Sequence, residues 1–155
     1  MKVLKLLVIF AVVVGLAFNV FAAEERRTGK IVDLKGSADV KSTTGERSTA
    51  FIGMVLDEGD TLLTKGNSWA MLTLTGKEGS SAEIEVEENS ELLLSELVMD
   101  KAEGTQSTLL DLAIGKILIR AEKVHGEGSS FEVQTPTSIV AVRGTVFSVE
   151  VEALE

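Results

Sequence analysis

Residues 82–87 read Ala-Glu-Ile-Glu-Val-Glu, the clearest alternation of apolar and charged side chains in the chain. Successive side chains of a β-strand point to opposite faces, so this period of two predicts a half-buried strand with its glutamates in water. The same charges are expected to protect a sheet edge from pairing with another chain. Residues 116–122 alternate in the same way, with Ile117 and Ile119 predicted to face the core.

The rest of the chain repeats this pattern of short apolar segments divided by turns. Glycine punctuates the segments, proline occurs once, and no helical period of 3.6 persists. About ten short strands, with turns roughly every 8–12 residues, predict an all-β domain in an irregular solenoid-like or sandwich arrangement, with a barrel as the other alternative. Besides the two segments above, strands are expected at 31–34, 38–40, 51–56, 61–64, 69–74, 92–99, 108–114, 131–135 and 139–151, with a Gly- and Ser-rich link at 75–81.

Residues 92–102 also permit a short helix, because Glu, Leu, Met, Lys and Ala all favour one. The run of three leucines and the glycine that follows favour a strand instead. We therefore predict that this segment pairs with residues 108–114 across a loop at 100–104.

The first 22 residues have the three parts of a secretory signal peptide. Two lysines form a basic start, residues 6–18 carry no charge, and Val20 and Ala22 place small or compact side chains before a cleavage site. We predict a signal helix over residues 1–22, cleavage after Ala22 and a periplasmic or extracellular location. No stable membrane insertion is expected after cleavage, and an uncleaved N-terminal anchor is the alternative.

Removal of this leader leaves 133 residues, which suit one compact domain. The chain has no cysteine, so neither disulfides nor a lipid-modified cysteine are available. It carries 24 acidic and 15 basic residues, two of the basic ones in the leader, so the net charge after cleavage is −11. Such a surface repels nucleic acid and anionic lipid, and we predict no nucleic-acid partner.

Four further motifs follow one another in the second half of the chain. They are GDTLLT at 59–64, LAIGKI at 112–117, FEVQTP at 131–136 and VRGTVFSV at 142–149. The series resembles the FecR domain, which has a GD-x-L-x-T turn, an L-x-x-G strand pair, an F-x-V-x-TP strand and a closing V-R-G-T-x-F-x-V segment. The resemblance covers residues 28–151, nearly the whole predicted mature chain.

The resemblance implies a β-rich, solenoid-like domain with no catalytic residues. The family is named after periplasmic sensors that pass an iron-uptake signal to a cytoplasmic sigma factor. Those sensors carry a cytoplasmic segment and a membrane-spanning helix, where this chain has its leader, so direct contact with a cytoplasmic factor is not expected. The matching motif residues are expected to be structural: Gly59, Asp60, Pro136, Arg143, Gly144 and Thr145.

Arg143 is the charged residue within an otherwise apolar or small closing segment. A buried guanidinium needs a carboxylate or several carbonyls around it. We predict that Arg143 clamps the closing strand to an acidic turn through a carboxylate such as Asp60 or Asp111. A ligand anchor is the alternative.

Catalytic and metal sites have little support in the sequence. The one histidine, His125, lies in a charged, Gly-flanked loop and is expected to be exposed. Asp57, Glu58 and Asp60 cluster on one turn and offer oxygen ligands to Ca²⁺, but their spacing does not match an EF-hand. We predict no cofactor and no bound metal.

These observations together predict a non-enzymatic envelope domain that binds a protein or a cell-envelope polymer, with sensing as one role. A carbohydrate-active enzyme is an alternative, because 24 acidic residues offer many carboxylate pairs. A structural piece of a larger surface assembly is the other alternative, which an exposed apolar edge would favour together with the binding role.

Overall fold

The computed structural model describes residues 24–76, 79–121, 128–142, 144 and 146–152. These residues contain thirteen β-strands and no helix, which confirms the all-β prediction, while the signal helix lies outside them. The strands are β1 Glu24–Arg26, β2 Gly29–Lys35, β3 Ala38–Lys41, β4 Arg47–Thr49, β5 Val55–Leu56, β6 Thr61–Thr64, β7 Trp69–Gly76, β8 Gly79–Val86, β9 Glu91–Asp100, β10 Thr105–Ala121, β11 Ser130–Gln134, β12 Ile139–Ala141 and β13 Val146–Val151.

Nine of these strands form an open, curled, antiparallel sheet in the order β4-β3-β6-β9-β10-β8-β7-β2-β5. The long strand β10 bends this sheet into two layers, since residues 105–114 pair with β9 and residues 117–121 pair with β8. The first layer contains β4, β3, β6, β9 and the start of β10, extended by β1, β11 and β12. The second layer contains β5, β2, β7, β8 and the end of β10, extended by β13.

One hydrophobic core lies between the layers, because each strand turns alternate side chains inward. In β9 and β10 the burial alternates residue by residue over most of the strand. The layers approach closely at Gly29 of β2, where a Cβ would lie 3.1 Å from Leu94 Cδ1 of β9. The fully buried large side chains come from both layers: Ile31, Leu56, Leu62, Leu72, Leu74, Ile84, Leu92, Leu94, Leu97, Leu110, Leu112 and Ile117.

Several predicted boundaries change in the structure. The short helix considered at 92–102 is absent, because β9 continues as a strand to Asp100. The predicted link at 75–81 is wrong, since β7 continues to Gly76 and β8 begins at Gly79. The segments predicted separately at 108–114 and 116–122 form the single strand β10 as far as Ala121.

Two expectations about edges are also wrong. The acidic strand β8 protects no edge, because it is paired with β7 on one side and β10 on the other. In the segment 51–56 only Val55 and Leu56 form a strand, while Phe51 and Ile52 lie in a turn and are exposed. The closing segment 139–151 contains two strands, β12 and β13.

Candidate functional site

Two motif residues meet at the turn between β8 and β9. Thr64, the last residue of the GDTLLT motif, accepts a hydrogen bond at Oγ1 from the Ser90 backbone N–H at 3.0 Å. The same hydroxyl donates to the Glu87 carbonyl at 2.5 Å. The motif threonine therefore fixes the turn at 87–90, where the chain passes from the second layer to the first.

Gly115, the glycine of the LAIGKI motif, lies against the same turn. Its φ is +95°, and a Cβ there would stand 2.5 Å from Ser90 Cα. The Ser90 hydroxyl accepts a hydrogen bond from the Lys116 backbone N–H at 3.0 Å. Only glycine fits a left-handed conformation in such close contact, so this motif position produces the bend of β10. The sequence did not mark Ser90, since an isolated turn serine carries no signal of its contacts.

The acidic turn at 57–60 is closed by its own hydrogen bonds. Gly59 has a φ of +90° and donates its N–H to the Leu94 carbonyl at 2.7 Å. An Asp60 carboxylate oxygen accepts from the Asp57 N–H at 3.0 Å, and a Glu58 carboxylate oxygen accepts from the Leu97 N–H at 2.9 Å. Within the described ranges, no three histidine, aspartate or glutamate side chains are grouped to hold a metal ion.

The remaining predicted structural residues lie near the end of the chain. Pro136 is exposed in the turn after β11, and the turn is capped by Thr135, whose Oγ1 accepts from the Ser138 N–H at 3.0 Å. Gly144 has a φ of +70° between β12 and β13. Arg143, Thr145 and His125 lie outside the described residues, so the Arg143 clamp stays a prediction.

A different arginine connects the two layers. Arg27 is only 3% exposed; its Nε donates to the Thr75 carbonyl of β7 at 2.6 Å, and its Nη1 donates to Thr108 Oγ1 of β10 at 2.7 Å. Its backbone N–H donates to Leu97 of β9 at 2.9 Å. Burial lowers the pKa of Arg27 to about 10, so it stays charged at neutral pH. Sequence analysis missed Arg27, because it stands beside the exposed Arg26 in a uniformly polar stretch.

The acidic row of β8 is partly paired with cations of β10. Glu87 Oε1 lies 2.9 Å from Lys116 Nζ, and Glu85 Oε2 lies 4.0 Å from Arg120 Nη1. The hydrogen bond to Glu87, followed by the attraction of its charge, raises the pKa of Lys116. Glu83 is exposed. The row therefore faces water, as predicted, but it belongs to a charged cross-strand surface and not to an edge.

Exposed large apolar side chains are concentrated on two sides of the sheet. We define the first edge as β4, β5 and the turn between them (residues 47–56), and the second edge as β12 and β13. Phe51, Ile52 and Val55 on the first edge are 59%, 58% and 53% exposed. The exposed residues are Phe51, Ile52 and Val55, with Val32 of the neighbouring β2, on the first edge, and Ile139, Val140 and Val146 on the second.

The geometry defines an all-β domain whose recurrent motifs build its bend and turns and whose exposed apolar residues mark its edges. The family described as FecR protein matches residues 60–154, more than half of the chain. The chain therefore belongs to the FecR protein family, a sensing and regulatory family that is generally non-enzymatic. The match begins at the acidic turn, so Arg27 and the first edge precede it.

A search among curated proteins found no match, and neither did a search among solved structures. Across the described part of the chain, no helix has the length and apolar character needed to cross a membrane.

Proposed function

We propose that this chain is an exported, non-catalytic sensing module that binds a protein through its first edge. The observation that carries this proposal is the exposure of Phe51, Ile52 and Val55 on a sheet edge. Large apolar side chains grouped at a surface are typical of interaction sites, and aromatic residues are enriched in binding interfaces. Membership in a sensing family supports the same role.

The export part of the proposal rests on the leader at residues 1–22. We expect a signal peptidase to cut after Ala22 and to release the domain into the periplasm or the medium. N-terminal sequencing of the protein from the envelope fraction should begin at Ala23 or Glu24. A membrane-retained protein that still carries Lys2 would support the uncleaved anchor instead.

The binding part of the proposal has a measurable energetic size. Burial of one large apolar side chain contributes about 1.5–3 kcal/mol, and Phe51 and Ile52 are each more than half exposed before binding. Their replacement with serine should therefore weaken a partner's binding by at least about tenfold, since tenfold corresponds to about 1.4 kcal/mol. Fold stability should change little, because neither side chain belongs to the core.

Affinity capture from envelope extract tests this prediction. The baits are the wild-type protein, the double variant Phe51→Ser/Ile52→Ser and the control Val146→Ser, which removes an exposed apolar side chain from the opposite edge. A partner that is captured by wild type and by the control, but lost with the double variant, supports the proposal. Equal capture by all three baits contradicts it. Co-sedimentation with purified cell-wall polymer, unaffected by the double variant, would favour the polymer-binding alternative.

A further inference from the structure

The first and second edges lie on opposite sides of the molecule. In the first layer β4 and β12 are the outermost strands, and in the second layer β5 and β13 are outermost. Among the described strand pairings, β4 pairs with β3 alone, β5 with β2, β12 with β11 and β13 with β10. Each edge therefore has apolar side chains beside strands that have one side open for pairing, a combination suited to strand addition.

The first edge has a basic border. Arg47 of β4 is exposed and stands opposite Lys41 of β3, which is also exposed. Lys30 of β2 is exposed opposite Val55. The acidic residue at a neighbouring paired position, Asp39, is engaged by Lys65 at 3.0 Å. Glu46 and Asp57 follow only at the two ends of the edge, so its paired positions present mainly positive charge.

The second edge has the opposite border. Glu132 of β11 stands opposite Ala141 of β12, and Glu150 of β13 is exposed opposite Lys116. The Lys116 ammonium is engaged by Glu87 at 2.9 Å, and Arg120 lies 4.0 Å from the carboxylate of Glu85. The cations near this edge are thus compensated by β8, and the two glutamates leave the edge negative.

The distribution of charge along the chain agrees with this contrast. Residues 24–58 carry six basic and seven acidic side chains, whereas residues 59–155 carry seven basic and seventeen acidic ones. Two copies that met through their second edges would bring acidic surfaces together, and two first edges would oppose their basic borders. Contact between a first edge and a second edge avoids both repulsions.

We propose that the first edge of one copy of this chain binds the second edge of another copy, head to tail. The inference rests on the proposed function, since it names a second copy as the protein that the first edge binds. Phe51, Ile52 and Val55 of one copy meet Ile139 and Val146 of the next. Each bound copy still presents one edge of each kind, so the association extends beyond a dimer, as heterologous contacts do.

Mixing of two edge variants tests the head-to-tail contact. The protein is purified after export, and its mass in solution is followed by sedimentation velocity over a range of concentrations. Wild type should form species larger than a dimer. Phe51→Ser/Ile52→Ser and Ile139→Ser/Val146→Ser should each be monomeric alone, yet an equimolar mixture should form a dimer that grows no further, because each variant keeps one intact edge. Unchanged thermal midpoints show that both variants fold.

Other outcomes overturn the inference in distinct ways. A monomeric wild type at every concentration contradicts it, and the proposed function stands if affinity capture still finds another protein through the first edge. Dimers of either variant alone indicate contact between like edges and also contradict it. If wild type is monomeric and capture finds nothing, both proposals fail.

A charge exchange adds a second, independent measurement. Arg47→Glu should weaken self-association by about tenfold, because it places like charges across the contact. Glu150→Arg in the same chain should recover most of that loss, and added salt should weaken wild type. Loss without recovery would contradict the pairing of these two borders.

Discussion

Replacement of Arg27 with methionine removes a buried cation that holds the two layers together. Methionine is close to arginine in length, so the change mainly removes the hydrogen bonds to the Thr75 carbonyl and the Thr108 hydroxyl. A hydrogen bond to a charged group contributes about 1.5–3 kcal/mol, which gives ~3–6 kcal/mol for the two bonds. The lowered pKa of Arg27 shows that burial of its charge is itself costly, so we expect the lower end, ~3 kcal/mol.

The assay is denaturant unfolding at neutral pH, with Arg26→Met as the matched control. Arg26 precedes Arg27 directly but is exposed, so its replacement should change the unfolding free energy by less than about 0.5 kcal/mol. The double variant Arg27→Met/Thr108→Val should recover part of the loss, because the buried hydroxyl that lacks its donor is removed as well. Equal stability of the Arg27 and Arg26 variants, or strict additivity of the changes at Arg27 and Thr108, would refute the clamp.

Three further predictions concern the bend, the charged surface and the closing segment. Gly115→Ala should cost about 2–4 kcal/mol of unfolding free energy in a denaturant melt, since it adds a clash to left-handed strain, whereas Gly45→Ala adds strain alone because a Cβ there meets nothing within 4 Å. Glu87→Gln should lower the pKa of Lys116 in an NMR titration; in wild type the pair's stabilisation is present at neutral pH and is lost as pH rises through the raised pKa. Arg143→Ala should lower the unfolding free energy by about 3–5 kcal/mol and Arg143→Lys should recover only part; full stability of the alanine variant would favour an exposed binding role.

The period of two was sufficient to predict the all-β fold and most of the strands. It was not sufficient to predict which strands lie at edges, because β8 has one solvated face whether it stands at an edge or in the middle of a sheet. Only the pairing with β7 and β10 shows that it is central. The bend of β10 was also missed, since its cause is the contact between Gly115 and Ser90, 25 residues apart in sequence.

The candidate site shows the same limit more strongly. Phe51 and Ile52 are apolar, so sequence patterning assigned them to a strand in the core, whereas they lie in a turn that passes from one layer to the other. Arg26 and Arg27 are chemically identical neighbours, and only the three-dimensional position of Thr108 distinguishes the buried one. Long-range contacts decide both cases, and a single sequence does not encode them in a readable pattern.

Site-specific crosslinking in producing cells tests the central claim, that this domain binds a protein through its first edge. A photoreactive amino acid is placed at Ile52, and at the exposed Glu103 in the β9–β10 turn as the control. After irradiation, the protein is detected in the envelope fraction by immunoblot. We predict a discrete crosslinked species from position 52 that is absent from position 103. No protein adduct at position 52, from cells in which the domain is exported and folded, would contradict the account.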